Sequence, residues 1–283
     1  MSTQGALRER AALLEELRQI VQAMKNLAFA ETQRLAHAQP ALAAARDAVM
    51  QALERVPAAP PGAPLDPGRP PCWLVIGAER GFCGAFNDRV AEGARQLAAG
   101  TAGLRLLAAG QRLNGLLGSL PCPVVALGGC ATLDEVDATL EEWQHALALE
   151  APRCGQIWML HASEAGLVRR RLAPPERTAP SPAPAALRYL PDGPLRSALL
   201  RQAMRLQLED GIFESLRQEN RWRLSQMQRA QDHLDDLSQQ LRRRYAALRQ
   251  ENITNEQETL MSSLQASGAP GGDQPASWPL AAA

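Results

Sequence analysis

Hydrophobic residues recur every seven positions through roughly the first fifty residues of the chain. One seam of this heptad pattern is apolar at every step: Leu7, Leu14, Val21, Ala28, Leu35, Leu42, Val49 and Val56. A second seam is less uniform, because it includes Arg10 and Glu31. A sustained heptad predicts one long coiled-coil helix over residues 5–56. A two-helix hairpin broken at Pro40 is the alternative, but the register continues through the proline without a slip, which favours a single helix.

A second helical pattern covers residues 194–265. Its apolar steps have gaps of three and four, at Phe213, Leu216, Leu224, Met227, Leu234, Leu237, Leu241, Tyr245 and Leu248, with polar Asn220 and Gln231 between them. Helices of this kind draw most of their stability from packing. We therefore expect the two terminal helices to pair antiparallel. The C-terminal helix is the longer, so part of it should project unpaired or enter another protein.

Between these helices, short apolar runs alternate with amphipathic segments. The runs are Trp73–Ile76, Leu104–Ala109, Val124–Leu127 and Ile157–Leu160, and the segments include Asp88–Ala99 and Leu133–Leu149. The alternation predicts βαβ units and a mainly parallel sheet, an α/β domain of Rossmann-like type over residues 72–190. A proline-rich linker at 57–71 precedes it, and a second proline-rich stretch, Ala173–Ala186, ends it. The tail at 266–283 is expected to be disordered.

Composition and charge narrow the classes of function. The formal net charge is zero, which argues against a nucleic-acid binder. The five cysteines show no CxxC pair and no histidine at ligand spacing, which favours reduced thiols in a cytoplasm over a zinc site. A charged helix rather than a signal peptide begins the chain, and no apolar run reaches the roughly 18 residues of a membrane span. Membrane association is therefore expected only through partners.

A glycine-rich stretch, "GAERGFCGAFN", follows the first apolar run of the middle domain. Gly77, Gly81 and Gly84 invite interpretation as a phosphate-binding loop. A Walker loop requires GxxxxGK followed by Ser or Thr, and a Rossmann fingerprint requires GxGxxG, whereas the spacing here is GxxxGxxG. We therefore predict a structural strand-to-helix turn and no bound cofactor.

Other candidate chemistry is sparse. The four histidines lie in separate segments, and the paired carboxylates are expected on solvated helix faces. The arginine triads Arg169–Arg171 and Arg242–Arg244 could bind anions, but with a neutral chain they are more simply exposed helix or loop charges that contact an acidic partner. No catalytic or metal-binding residue is predicted.

Three segments together resemble signatures of one family, the γ subunits of F-type ATP synthases. They are "IVQAMKNLA" (Ile20–Ala28), "ERGFCGAFN" (Glu79–Asn87) and "LRQENITNEQETL" (Leu248–Leu260), in the order and at the spacing of that family. The resemblance covers residues 5–265, and outside the glycine loop the middle domain matches only loosely. Two coiled-coil helices around a Rossmann-like domain is also the architecture of this family.

The resemblance implies a central rotor shaft without catalytic activity of its own. In this family the coiled coil passes through a hexamer of α and β subunits in a 3:3:1 complex. The globular domain sits with the ε subunit on the membrane c-ring, and rotation couples ion flow to ATP synthesis or hydrolysis. The implied location is the cytoplasmic face of a bacterial cell membrane, as a peripheral subunit.

The resemblance also implies which residues contact partners. Met24 and Lys25 match a Met-Lys pair that faces an acidic loop of β, and Arg249 and Gln250 match a pair that hydrogen-bonds catch loops of β or α. Lys25 is the only lysine of the chain, and the resemblance favours this contact role over the alternative of a solvated helix lysine.

Several residues depart from the family pattern. Glu31 stands where the family commonly has a cation, Glu79 replaces the usual Asp, and Ala85 replaces the usual second glycine after Cys-Gly. These departures suggest a divergent branch, such as the alternate F-type ATPases. Two other hypotheses stay open at the level of sequence: a structural coiled-coil adaptor with a degenerate α/β domain, and a nucleotide-dependent enzyme.

Overall fold

The computed structural model describes residues 3–57, 68–173 and 190–267 of the chain. Most of the predicted linker (58–67), the second proline-rich stretch (174–189) and nearly all of the predicted tail (268–283) lie outside these residues. The described chain forms two compact units, one of Met1–Ile20 with Gln231–Ala283 and one of Val21–Ala230.

Two long helices contribute to both units. Helix α1 spans Thr3–Arg55 and helix α5 spans Asp192–Ser267. Pro40 lies within α1, so the N-terminal pattern forms one helix rather than a hairpin. Helix α1 begins two residues before the predicted start at residue 5, and α5 begins two residues before the predicted start at 194.

In the unit of Met1–Ile20 and Gln231–Ala283, the two helices pair antiparallel. Nη2 of Arg8 donates to the hydroxyl of Tyr245 at 2.8 Å, and the guanidinium lies 5.7 Å from the centre of the tyrosine ring. Further along, Nε of Arg18 lies 3.3 Å from Oδ1 of Asp235. The residue numbers rise on one helix as they fall on the other, which is the antiparallel arrangement expected from the heptads.

The unit of Val21–Ala230 contains a five-stranded sheet. Its strands are β1 (Pro71–Ile76), β2 (Arg105–Ala109), β3 (Val124–Leu127), β4 (Gln156–Ser163) and β5 (Gly166–Ala173), in the order β3-β2-β1-β4-β5. The first four are parallel, and β5 is antiparallel to β4. Helices α2 (Phe86–Gly100), α3 (Gln111–Leu117) and α4 (Val136–Glu150) connect them. Within this unit the fold is the predicted mainly parallel α/β sheet, and its strands lie between the two long helices in the sequence.

Two hydrophobic clusters cover the two faces of the sheet. On one face, the helix pair contributes Leu35 of α1 and Phe213 of α5, and Trp143 of α4 packs beside them. On the other face, α2 and α3 contribute Phe86 and Leu113. Both clusters include strand side chains, so burial of apolar surface fixes the sheet between the helix pair and α2–α3.

The prediction for the first arginine triad was wrong. Arg169–Arg171 lie on β5, an edge strand, rather than on a helix or loop. Arg170 is half-buried because its Nη1 donates to Oδ2 of Asp210 on α5 at 2.6 Å. The second triad, Arg242–Arg244, is exposed on α5 as expected.

Candidate functional site

The glycine loop joins β1 to α2 under tight steric limits. A Cβ at Gly77 would lie 2.4 Å from Cβ of Leu113, because α3 packs directly against the loop. Gly84 has a φ of +57°, and a Cβ there would lie 2.5 Å from Nε2 of Gln226 on α5. A Cβ at Gly81 would find only ordinary contacts, the nearest at 3.5 Å from Arg112. Two of the three glycines therefore meet a steric requirement of the turn.

The amide groups around this loop already have acceptors. The amide of Ala78 donates to Oδ1 of Asn87 at 2.9 Å. Oε2 of Glu79 accepts from the amides of Gln111 and Gly129, both at 2.9 Å. In nucleotide-binding α/β folds, free amides at the carboxyl ends of the strands receive the phosphates. Here a carboxylate of the chain occupies such donors, so the geometry favours a structural turn over a phosphate cradle.

Phe82 is the unusual residue of the loop. Its φ is +62°, a left-handed conformation that is costly for a bulky side chain. The residue is 65% exposed. Strained backbone conformations of this kind occur mainly at functional sites, and they persist only where the surrounding structure enforces them. The loop thus presents an aromatic ring to solvent at an energetic cost.

The exposed ring borders a groove of about 230 Å³ between α1, the glycine loop and α5. Met24 and Leu27 line it from α1, Arg80 and Phe82 from the loop, and Arg223 from α5. Leu27 is 57% exposed. The groove is therefore a largely apolar surface beside two arginines, and its lining includes Met24 and Gly81, two of the residues that the sequence singled out.

A buried polar cluster supports the groove from below. Arg223 donates to the carboxylate of Glu219, to Oδ1 of Asn220 at 2.6 Å, and to the carbonyl oxygen of Gly81 at 3.4 Å. Burial raises the pKa of Glu219 to about 7, although the Arg223 guanidinium opposes the shift. Asn220, one of the polar interruptions of the heptad, thus belongs to a network that connects α5 to the glycine loop.

Lys25 is half-buried next to this groove on α1. Its ammonium donates to Oε1 of Gln228 on α5 at 2.5 Å. The side chain therefore lies against the opposite helix of the pair instead of extending fully into water.

Glu31, which departs from the family pattern, is buried below the same groove. Its side chain is part of the groove lining, and its Oε1 accepts the amide hydrogen of Leu133 at the turn before α4. Its Oε2 lies 3.3 Å from Nη1 of Arg34. Sequence reasoning assigned this residue no role. The available signal was its position in the second heptad seam, where a polar residue faces the interior.

Arg249 and Gln250 lie on α5 in the other unit, where both side chains are exposed. The backbone carbonyl of Gln250 accepts from Oγ1 of Thr254 at 3.0 Å, inside the helix. The two predicted contact pairs thus belong to different units.

Comparison with known proteins agrees with this architecture. A family model described as ATP synthase matches residues 3–266. The ATP synthase gamma chain of Granulibacter bethesdensis is 28% identical over 300 residues, covering 94% of this chain and 100% of the relative. Since the family model matches nearly the whole chain, the assignment follows. The chain belongs to the γ-subunit family of ATP synthases.

Solved structures of chains from ATP synthase assemblies share the fold. A chain of the Euglena gracilis mitochondrial ATP synthase, solved by cryo-EM as OSCP/F1/c-ring in rotational state 3, superposes with a TM-score of 0.59 at 14% identity, covering 98% of this chain and 99% of that one. A chain of the Tetrahymena thermophila mitochondrial central stalk and c-ring gives 0.51 at 14% identity, covering 75% and 99%. At these identities the likeness establishes the fold alone.

Members of the γ family form the central rotor shaft and are not catalytic by themselves. Membership in this family therefore argues against the two alternative hypotheses, a structural coiled-coil adaptor and a nucleotide-dependent enzyme. Across the described ranges, no cluster of His, Cys, Asp and Glu is suited to hold a metal ion. None of the described helices combines the length and apolar composition needed to cross a bilayer.

Proposed function

We propose that the helix pair of this chain turns inside a hexamer of α and β subunits while its α/β domain rests with ε on a membrane c-ring. The proposed location is the cytoplasmic face of a bacterial membrane. The neighbours from Euglena and Tetrahymena are described with F1 or c-ring components, which supports the same assembly here. In this arrangement the rotor couples ion flow to ATP synthesis or hydrolysis in the hexamer.

The observation that carries this proposal is the C-terminal part of α5. Every described residue from 251 to 263 is exposed, although the segment is helical. Leu260 and Met261 are among the exposed hydrophobic residues, at 64% and 61%. Isolated helices are marginal in water, and exposed apolar side chains favour a partner surface. A surrounding sleeve of partner subunits would supply both the packing and the burial.

The functional divisions of the rotor follow from this assembly. We assign residues 5–56 and 194–265 to the shaft, 72–190 to the domain on the ring, 57–71 to a linker and 266–283 to a tail. Met24, Lys25, Arg249 and Gln250 are proposed to contact α or β, and Gly77, Gly81 and Gly84 to shape the loop. The groove with exposed Phe82 supports a contact role for the Met24 region, since an apolar surface of this kind suits a protein partner.

Assembly is the direct test of the proposed function. Co-expression with the cognate α and β subunits should yield a 3:3:1 complex that hydrolyses ATP, whereas the purified chain alone should not hydrolyse it. Native mass spectrometry gives the stoichiometry. A chain that remains alone in the presence of correctly folded α and β would overturn the proposal.

Gene context tests the proposed branch of the family. The departures at Glu31 and Ala85 support a divergent F-type enzyme, such as the alternate F-type ATPases. Genes for α, β, ε and c beside this gene, and a second complete set elsewhere in the genome, are expected. A single set of ATP synthase genes would contradict the placement in an alternate branch.

Replacing Arg249 tests the proposed catch contact. An arginine holds carboxylate or carbonyl groups through a planar fork of donors, and one such charge-assisted bond contributes on the order of 1.5–3 kcal/mol. That is too little to dissolve a large interface. We expect Arg249→Ala to leave the complex assembled but to lower ion-driven ATP synthesis more than uncoupled ATP hydrolysis.

The matched control for this substitution is Arg243→Ala, another exposed arginine of α5. Six residues earlier along a helix, it points in a different direction, so its loss should change the two activities little. Both activities are measured on membrane vesicles that contain the assembled enzyme. If Arg249→Ala lowered both activities equally or prevented assembly, Arg249 would have a role in stability instead of a catch contact.

A further inference from the structure

A single buried carboxylate joins the α/β domain to both helices of the shaft. Asp210 lies on α5 and is 4% exposed. Its Oδ2 accepts from Nη1 of Arg170 on β5 at 2.6 Å and from Nη1 of Arg46 on α1 at 2.9 Å. Three elements that are far apart in sequence therefore meet at one oxygen atom, and all three lie in the unit of Val21–Ala230.

Neighbouring charged groups extend the network along α5. Nη2 of Arg170 lies 3.7 Å from Oε1 of Glu214, and Oε2 of Glu214 lies 3.4 Å from Nδ1 of His161 on β4. Burial lowers the pKa of His161 to about 4, and the nearby Arg170 guanidinium contributes to the shift. The imidazole is therefore neutral at physiological pH, and the charges that act here are those of the arginines and carboxylates.

The apolar contacts around this network constrain α5 in a different way from the ionic contacts. Phe213 and Leu216 of α5 pack against the sheet in the large hydrophobic cluster. Such packing is strong but non-directional, so it resists separation of the helix from the sheet more than it resists small sliding or rotation. Charge-assisted hydrogen bonds have preferred distances and directions. They can therefore fix the register of a helix against a sheet.

We propose that Asp210 is a positioning residue that holds the α/β domain in a fixed position against the two helices of the shaft. Rotation of the shaft is then transmitted fully to the domain. This inference rests on the proposed rotor function. When ATP hydrolysis in the hexamer turns the shaft, the domain on the ring must turn with it to drive the c-ring. Without the Asp210 contacts, the α/β domain can shift relative to α1 and α5. ATP hydrolysis then continues with less ion transport for each ATP consumed.

The chain offers a matched control in a second ion pair that also connects the α/β domain to α5. Nη2 of Arg205 on α5 lies 2.6 Å from Oδ1 of Asp137 on α4, but the side chain of Asp137 is 84% exposed. An exposed pair contributes little because water screens it. Asp137→Asn should therefore behave like the unaltered protein, while Asp210→Asn should weaken coupling.

The measurement compares two activities of the assembled enzyme in membrane vesicles: ATP hydrolysis and ATP-driven pumping of the coupling ion. For Asp210→Asn we expect the ratio of pumping to hydrolysis to fall by about threefold or more, a change of the size that the loss of one net hydrogen bond can produce. For Asp137→Asn the ratio should stay unchanged. Equal ratios in the two variants would overturn the inference while leaving the rotor assignment intact, because that assignment is tested by assembly.

A triple variant separates positioning from stability. Asp210→Asn removes the carboxylate that the half-buried Arg46 and Arg170 share and could unfold the chain, whereas replacing the three members of a buried ion triad by apolar residues is often neutral or stabilising. Arg46→Met, Arg170→Met and Asp210→Leu together should therefore fold and assemble. If the network positions the shaft, this stable variant will still pump poorly. Normal pumping by the triple variant would reduce Asp210 to a structural role.

Discussion

Gly77→Ala is expected to lower the free energy of unfolding by about 2–3 kcal/mol, the upper part of the range for overpacking in a dense core. The added methyl group would lie 2.4 Å from Cβ and 2.8 Å from Cδ2 of Leu113. Cβ is fixed to the backbone of α3, so a change of rotamer cannot relieve the clash. Either α3 or the glycine loop has to move, which would also disturb the amide of Gly77 that donates to Ala109 at 2.8 Å.

Gly115→Ala is the matched control for this prediction. Gly115 lies in α3, two residues beyond Leu113, and a Cβ there would meet no atom within 4 Å. Alanine is a better helix former than glycine, so this substitution should raise the free energy of unfolding by about 0.5–1 kcal/mol. Urea unfolding of the full chain, followed by circular dichroism, measures both. Similar changes in the two variants would mean that the loop tolerates a side chain at Gly77.

The long helices and the central strands were predictable because their patterns are local. Heptads identify a helix that packs along its whole length, and buried parallel strands are continuous apolar runs, as at Trp73–Ile76. Strand β5 escaped prediction for the opposite reason. It is an edge strand with three arginines, and the acid that neutralises Arg170 is Asp210, forty residues later in the chain. No local pattern reveals such a partner.

The candidate site was predictable only in part. The motif around Met24 led to the groove, and the spacing of the glycines ruled out the familiar phosphate loops. The left-handed backbone of Phe82 was not predicted, and the network around Arg223 depends on contacts between the loop and α5. Because these contacts join segments about 140 residues apart, they follow from the fold and not from a motif. Asn220 looked like a defect of the heptad and is instead part of that network.

Glu31→Lys should have the largest effect on stability, although it introduces the type of residue that the family commonly carries at this position. Glu31 is 5% exposed, and its Oε1 accepts the amide hydrogen of Leu133. Lysine offers no acceptor, so that amide would lose its partner. The new ammonium would also lie beside Arg34 and in a groove lined by Arg80 and Arg223. Leaving an uncompensated charge at a buried position costs about 3–5 kcal/mol.

Two variants separate charge from hydrogen bonding at this position. Glu31→Gln keeps an acceptor for the Leu133 amide and should cost only about 1 kcal/mol, the usual contribution of one hydrogen bond. Gln33→Lys places the same cation on the exposed face of α1 and should change stability by no more than about 0.5 kcal/mol. Urea unfolding of the three full-length variants measures the order of their stabilities. If Glu31→Lys were as stable as Gln33→Lys, the contact between Glu31 and Leu133 would contribute nothing to the fold, and the departure from the family pattern would have no structural basis.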